Sequence, residues 1–166
     1  AAALAEAGYG SLAIDWRGQG LSDRLLPDRL IGHVHRFSDY QRDVQTLMAA
    51  ARALHLPKPY FLLAHSMGGC IALRSLVQQL AVQAVSFSAP MWGILFHPPA
   101  KRALAWGLSS LLHPFKWAEM RAPGTSVGSY LQEVSFEENQ LSCDPQMFEI
   151  MRHQLQELPD VRVPHS

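Results

Sequence analysis

The clearest chemical pattern in the sequence centres on one serine with small neighbours. Ser66 follows the apolar run 60–64 and is itself followed, after one residue, by Gly68 and Gly69. A serine hydroxyl attacks a carbonyl group only when a base removes its proton, and a sharp strand-to-helix turn presents the oxygen for that attack. Small residues let the backbones approach at such a turn, so Ala64, Gly68 and Gly69 are predicted to support it. We therefore predict that Ser66 is a catalytic nucleophile.

The residues on either side of the serine have different expected roles. Met67 would begin the following helix, and its amide N–H would point at the oxyanion that develops during attack on an ester. One such donor lowers the barrier by about 3–4 kcal/mol. His65 is expected to support the packing of the elbow, because neighbouring side chains on a strand point in opposite directions. The competing interpretation is that residues 64–69 form a purely structural turn.

Alternating strands and helices are predicted to position this turn. The predicted order is a helix over 1–7 ended by Gly8, a buried strand over 11–15, a helix over 39–55 capped by Ser38, a strand over 60–64, a helix over 67–80 and a strand over 84–88. The strand at 60–64 is apolar without alternation, which is typical of a strand covered on both faces. This alternation predicts an α/β fold with a parallel sheet and flanking helices, in which ligands bind at the carboxyl ends of the strands.

The second half of the chain is predicted to be helical. Helices are expected over 99–112 and 145–157, the second with Asp144 as its N-cap and Pro145 as its first residue. Its buried side is predicted to contain Met147, Ile150, Met151, Leu155 and Leu158. We therefore divide the chain into a partial core over 1–90, which includes the turn at Ser66, and a helical lid over 91–166.

The aromatic residues of the predicted lid allow two interpretations. They are either packing residues or the wall of a tunnel for an acyl chain. The residues concerned are Trp92, Phe96, Trp106, Phe115 and Trp117.

Composition restricts the possible partners. The 166 residues contain 14 Lys plus Arg and 14 Asp plus Glu, so no basic excess indicates nucleic acid. No signal segment or membrane-spanning segment is visible, and Cys70 and Cys143 are interpreted as reduced thiols, which favours the cytoplasm. Neither a metal nor a cofactor is expected. Gly18 and Gly20 lack the other residues of a nucleotide-binding loop.

Two motifs carry a resemblance to a known family. Residues 64–69, Ala-His-Ser-Met-Gly-Gly, and residues 15–23, Asp-Trp-Arg-Gly-Gln-Gly-Leu-Ser-Asp, resemble the lysophospholipase L2 and monoacylglycerol lipase branch of the α/β-hydrolases. This branch shares a sequence family with serine aminopeptidases. Residues 136–141 and 144–145 are similar to the segment before a lid helix of that family. Ala64 replaces the first glycine of the usual elbow pattern. The resemblance implies a carboxylic ester hydrolase acting on lysophospholipids or monoacylglycerols, without metal.

The resemblance also implies what this chain lacks. In the family an Asp and a His complete the triad on loops beyond the lid, and a His-Gly loop precedes the first helix. Neither is visible in this sequence, so we expect a fragment whose acid and base are absent and which is inactive alone. No histidine is assigned as the base. His33 and His35 are interpreted as solvated loop residues, with a metal pair or a substrate contact as the alternative.

The sequence allows three further pairs of interpretations. The hydrolase could act as an aminopeptidase instead of an esterase, or the domain could be a binding module without catalysis. The lid could also bring the protein into peripheral contact with the inner membrane. Asp15 and Asp23 could form an acid pair, although a hydrogen-bonding Asp at a strand end and a solvated loop Asp are favoured.

Overall fold

The computed structural model describes residues 2–29, 31–93, 99–112, 131 and 134–157. The elements are α1 (Ala2–Glu6), α2 (Tyr40–Ala53), β1 (Phe61–His65), α3 (Met67–Val77), β2 (Ala84–Ser88), α4 (Pro99–Leu112) and α5 (Pro145–Glu157). The predicted succession of strand, helix and strand around Ser66 is confirmed. The predicted bounds of β2, α4 and α5 are also confirmed.

The chain divides into two compact units. One consists of Ala1–Ile14 and Arg36–Ser110, and the other consists of Asp15–His35 and Leu111–Ser166. The division into a core over 1–90 and a lid over 91–166 stays a prediction.

The sheet of the first unit holds β1 beside β2 in parallel register. The paired residues run from Phe61 opposite Ala84 to His65 opposite Ser88. The two strands therefore end at the same level, and Ser66 follows the last pair. This arrangement confirms the predicted parallel pairing and places the turn at the carboxyl edge of the sheet.

A small core packs α2 against α3. Ile71 is fully buried, and Tyr40, Val44 and Ala51 supply the buried stripe of α2. Two buried polar side chains lie within this core, and each is satisfied. The Ser75 hydroxyl donates to Gln41 Oε1 at 2.7 Å, and Gln41 Nε2 donates to the Ile71 carbonyl at 3.2 Å. Because a buried polar group without a partner would be costly, this network fixes how the two helices meet.

The predicted strand over 11–15 is wrong. Residues 9–16 have no regular secondary structure, and Leu12 is exposed. A strand exists only through hydrogen bonds to a neighbour, and no described residue forms a ladder with this segment. The expectation that β1 is covered on both faces is also wrong, because Phe61 is 55% exposed and Leu63 is 65% exposed.

Three helices end in the same closing turn, which accounts for one wrong boundary. The second residue after each helix end has a positive φ, namely Gly8, His55 and Gln79. The next amide then donates to the carbonyl five residues back, as from Leu80 to Ser75 at 3.0 Å. This turn stops α3 at Val77 instead of the predicted residue 80.

The start of α2 also differs from the prediction. A 3-10 turn over Phe37–Asp39 leads into the helix, and Asp39 occupies the N-cap position without a side-chain cap. Ser38 therefore lies inside the turn and is not the N-cap. Leu54, predicted to belong to the apolar stripe, lies beyond the helix end and is exposed.

The second unit contains α5, whose cap is confirmed. Asp144 Oδ1 accepts the amide of Gln146 at 2.9 Å and that of Met147 at 3.3 Å. The predicted buried side is partly wrong, because Met147 and Ile150 are half-exposed and Phe148 is fully buried instead. The Phe148 ring meets the Phe136 ring at 5.6 Å between centroids, which the helical spacing alone did not indicate. Leu158 lies outside the described residues.

Of the aromatic residues assigned to the lid, Trp92 and Trp106 are exposed, and Phe96, Phe115 and Trp117 lie outside the described residues. Within the described ranges, no helix combines the length and apolar character needed to cross a membrane.

Candidate active site

Ser66 joins β1 to α3 through a strained backbone conformation. Its φ is 50° and its ψ is −123°, in a region that residues with a Cβ atom seldom occupy. Such a conformation costs on the order of 1–3 kcal/mol and persists only where surrounding contacts enforce it. The turn therefore requires contacts with neighbouring residues that hold the Ser66 backbone in place.

Both the amide and the carbonyl of Ser66 form backbone hydrogen bonds with neighbouring segments. The Ser66 amide donates to the Ser88 carbonyl at 3.2 Å. The Ser66 carbonyl accepts the amides of Gly69 and Met91, each at 2.9 Å. Sequence reasoning missed the contribution of 88–91, because this segment is distant in the chain and reaches the turn only through strand pairing.

Close packing at Gly69 brings α3 against the same segment. A Cβ atom at Gly69 would lie 2.6 Å from Cβ of Pro90 and 2.9 Å from its Cα. Gly68 is different, because a Cβ atom there would have no neighbour within 4 Å. Ala64 is buried at the other side of the turn. Of the predicted support residues, Gly69 therefore has a clear steric reason to be small, and Gly68 has none in this structure.

The N-terminal end of α3 lies directly beside Ser66. Met67 is the first residue of this 11-residue helix, and its N–H has no backbone acceptor among the described residues. Helix N-termini carry partial positive charge from their unpaired amides. Ser66 is half-buried, and its Oγ forms no hydrogen bond within the described ranges. The turn thus combines an available hydroxyl with an adjacent amide suited to an anion.

His65 bonds across the sheet to β2. Its Nδ1 lies 3.1 Å from Ser88 Oγ, in the last register pair of the two strands. Among the described residues, no hydrogen bond joins the His65 ring to Ser66 Oγ, and the packing role of His65 stays a prediction.

The loop that follows residue 14 is folded around Asp15 in the second unit. Asp15 Oδ2 accepts the Leu21 amide at 2.9 Å, and the Asp15 carbonyl accepts the Ser22 hydroxyl at 2.6 Å. Gly20, with φ of 52°, packs directly on this carboxylate, and a Cβ atom at that position would overlap it. Asp15 thus acts as a structural hydrogen-bond acceptor, and nothing in this loop pairs it with Asp23 as a catalytic acid.

Arg24 closes that loop and was not singled out from the sequence. Its guanidinium donates to the carbonyls of Gly20 at 2.8 Å and Ser22 at 2.6 Å, and its Nε donates to the Arg29 carbonyl at 3.0 Å. A basic residue directly after a glycine-rich loop was the available signal, since arginine can serve several carbonyls at once.

The histidine pair suggested by the sequence is close together in the second unit. His33 Nε2 and His35 Nδ1 lie 3.3 Å apart. No group of three or more His, Cys, Asp or Glu side chains suited to a metal occurs in the part of the chain that the structure describes.

Substitutions at the two glycines after Met67 should differ in their effect on stability. Gly69→Ala is expected to lower the free energy of unfolding by about 1–3 kcal/mol, because the new methyl group would overlap the Pro90 backbone. Gly68→Ala should change it by less than about 1 kcal/mol, since the site is open and alanine favours a helix. Urea denaturation of the complete protein measures both. Equal effects of the two substitutions would contradict the packing described.

Comparison with known proteins gives a consistent family assignment. The family described as serine aminopeptidase, S33 matches residues 1–160. Lysophospholipase L2 of Escherichia coli strain K12 is 42% identical over 106 residues, which cover 60% of this chain and 30% of that protein. The probable lysophospholipase L2 of Haemophilus influenzae is 35% identical over 106 residues, covering 63% of this chain and 33% of the relative.

A third relative carries a different name. Phospholipase YtpA of Bacillus subtilis is 34% identical over 89 residues, covering 52% of this chain and 32% of that protein. No solved structure matches the chain significantly. The matched stretch thus spans about a third of each relative. Because the family pattern extends over residues 1–160, the chain belongs to the serine aminopeptidase S33 family and carries part of its α/β-hydrolase fold.

Proposed function

We propose that the complete protein is a serine hydrolase of carboxylic esters with Ser66 as its nucleophile. The observation that carries this proposal is the strained turn at Ser66, with φ of 50°, between strand β1 and the N-terminus of α3. Strain of this kind concentrates at functional sites, where the surrounding structure maintains it. In this turn, the structure maintains it with three backbone hydrogen bonds and the close packing of Gly69.

The proposed reaction proceeds in two steps at Ser66. Ser66 Oγ attacks the ester carbonyl while a base accepts its proton, and the negative charge on the carbonyl oxygen is stabilised by the Met67 N–H. The ester C–O bond then breaks, and the alcohol leaves with the proton. Water next attacks the acyl group on Ser66, which releases the carboxylic acid and restores the hydroxyl.

The acid and base of the triad are proposed to lie in parts of the complete protein outside this chain. No histidine or carboxylate side chain bonds to Ser66 Oγ within the described ranges. His65 is engaged with Ser88 Oγ. On this proposal the isolated chain has little activity, because removal of triad members leaves only residual catalysis.

The proposed substrates are lysophospholipids or monoacylglycerols. The names of the relatives support this choice, since two are lysophospholipases and one is a phospholipase. Exposed apolar residues on one face of α4 also support it, because Leu104 and Leu108, one helical turn apart, are 70% and 40% exposed. A surface of this kind suits peripheral contact with a membrane, which we propose as the source of substrate.

A cytoplasmic location belongs to the same proposal. Cys70 and Cys143 are both free thiols, as is usual in a reducing compartment. The proposal includes neither a cofactor nor a nucleic-acid partner.

The second candidate is hydrolysis of short peptides by the same nucleophile. The description of the matched family as serine aminopeptidase favours it. A module that binds without catalysis is the remaining alternative, and measurable hydrolysis by the wild-type protein would exclude it.

Replacement of the nucleophile should abolish the reaction. Ser66→Ala in the complete protein is expected to lower kcat for ester hydrolysis by about 10⁶-fold, the loss typical of a missing serine nucleophile. Ser86→Ala is the matched control, because Ser86 is an exposed serine on β2. The measurement is the rate of lysophospholipid hydrolysis by the wild type and by each of the two variants. Undiminished hydrolysis by Ser66→Ala would contradict the assignment of Ser66 as the nucleophile. An inactive wild type would favour the module that binds without catalysis.

The substrate class can be tested by comparing two lipid esters of the same acyl-chain length with amino-acid anilides. Lysophospholipid and monoacylglycerol are expected to give kcat/KM at least about 100-fold above that of amino-acid anilides. A site adapted to lipid esters would gain about 0.8 kcal/mol for each methylene group of the acyl chain that it buries. The measurement compares initial rates for the three substrates with the same complete protein. Preference for the anilides would instead support the aminopeptidase.

A further inference from the structure

We propose that His65 and Ser88 form a positioning pair that holds Ser66 in its strained conformation. The inference rests on the proposed function, since it assigns the pair a role in the reactivity of Ser66. Neither residue touches the reacting atoms in this account. Each acts through the backbone of the nucleophile.

The first support is that Ser88 contacts the turn twice. Its carbonyl accepts the Ser66 amide at 3.2 Å, and its hydroxyl lies 3.1 Å from Nδ1 of His65. His65 and Ser66 are consecutive, so a main-chain bond and a side-chain bond from one residue of β2 hold two successive residues of the turn. The side-chain bond fixes the orientation of the last strand pair, and the main-chain bond begins where that pair ends.

The second support is that the remaining contacts depend on the same segment. Ala89 itself has a positive φ of 41°, and the chain bends at this residue directly after Ser88. Pro90 then packs on Gly69, and the Met91 amide donates to the Ser66 carbonyl at 2.9 Å. If Ser88 shifted, both later contacts would shift with it. The bond between His65 and Ser88 lies at the start of this segment and is its only bond between two side chains among the described residues.

The third support is chemical fit. Nδ1 is the ring nitrogen closest to the backbone, so it can reach a partner on the neighbouring strand without moving the chain. Either tautomer of His65 can use this bond, because a serine hydroxyl both donates and accepts. The polar atoms of asparagine lie at the same position along the side chain as Nδ1. His65→Asn can therefore keep the bond, and Ser88→Thr keeps the hydroxyl.

The test is a double-mutant cycle on the rate of covalent labelling. The complete protein is treated with a small fluorophosphonate, and both the second-order rate constant and the final labelled fraction are measured. His65→Ala and Ser88→Ala are each expected to lower the rate constant by about twofold to tenfold, the range that corresponds to one net hydrogen bond. The labelled fraction should stay complete, since a purely structural defect would lower that fraction instead.

The double variant and the control variants have distinct expected labelling rates. The double variant His65→Ala/Ser88→Ala should be no slower than the slower single variant, because the two residues act through one bond. His65→Asn and Ser88→Thr should recover most of the rate, and Ser86→Ala on the same strand should match the wild type. Wild-type labelling rates in both alanine variants would contradict the proposal that His65 and Ser88 position Ser66. Losses of rate that add up in the double variant would contradict the proposal that the two residues act through one bond. Labelling that persists in Ser66→Ala would instead contradict the proposed function.

Discussion

The positive φ of Ser66 is the constraint on which the rest of the first unit depends. A serine at φ of 50° is unstable unless neighbours hold it, and the neighbours here come from the end of β2. Parallel pairing brings Ser88 level with His65, so the two strands must end together for the turn to form. The sheet, although only two strands wide among the described residues, therefore does more than support a helix. It determines the backbone of the residue that would perform the chemistry.

Helices α3 and α2 connect the turn at Ser66 to the buried core. Helix α3 starts at the turn and carries the fully buried Ile71 one turn later. Ser75 and Gln41 then connect α3 to α2 through a satisfied polar network. A shift of α3 that relaxed the turn would break this network and expose Ile71, and both changes are unfavourable. The strain at Ser66 is thus opposed by contacts of two kinds, apolar burial and hydrogen bonds between buried groups.

Sequence reasoning succeeded where the signal is local. Asp144 and Pro145 mark the start of α5 through cap chemistry, and the apolar run before Ser66 marks β1. It failed where the outcome depends on distant partners. Residues 11–15 have strand-like composition, yet no described neighbour pairs with them. The contacts of Ser88 and Pro90 with the turn were missed for the same reason, since only strand register brings them to Ser66. The buried position of Phe148 depends on Phe136, which no periodicity within α5 reveals.

The central claim is that Ser66 forms the covalent bond with the substrate's acyl group, and mapping of a covalent adduct tests it most directly. The complete protein would be labelled with a fluorophosphonate, digested, and analysed by mass spectrometry for the modified peptide. The account predicts a single phosphonate adduct on Ser66, formed in proportion to the loss of esterase activity. An adduct on a different serine that accompanies the loss of activity, with Ser66 unmodified, would contradict it.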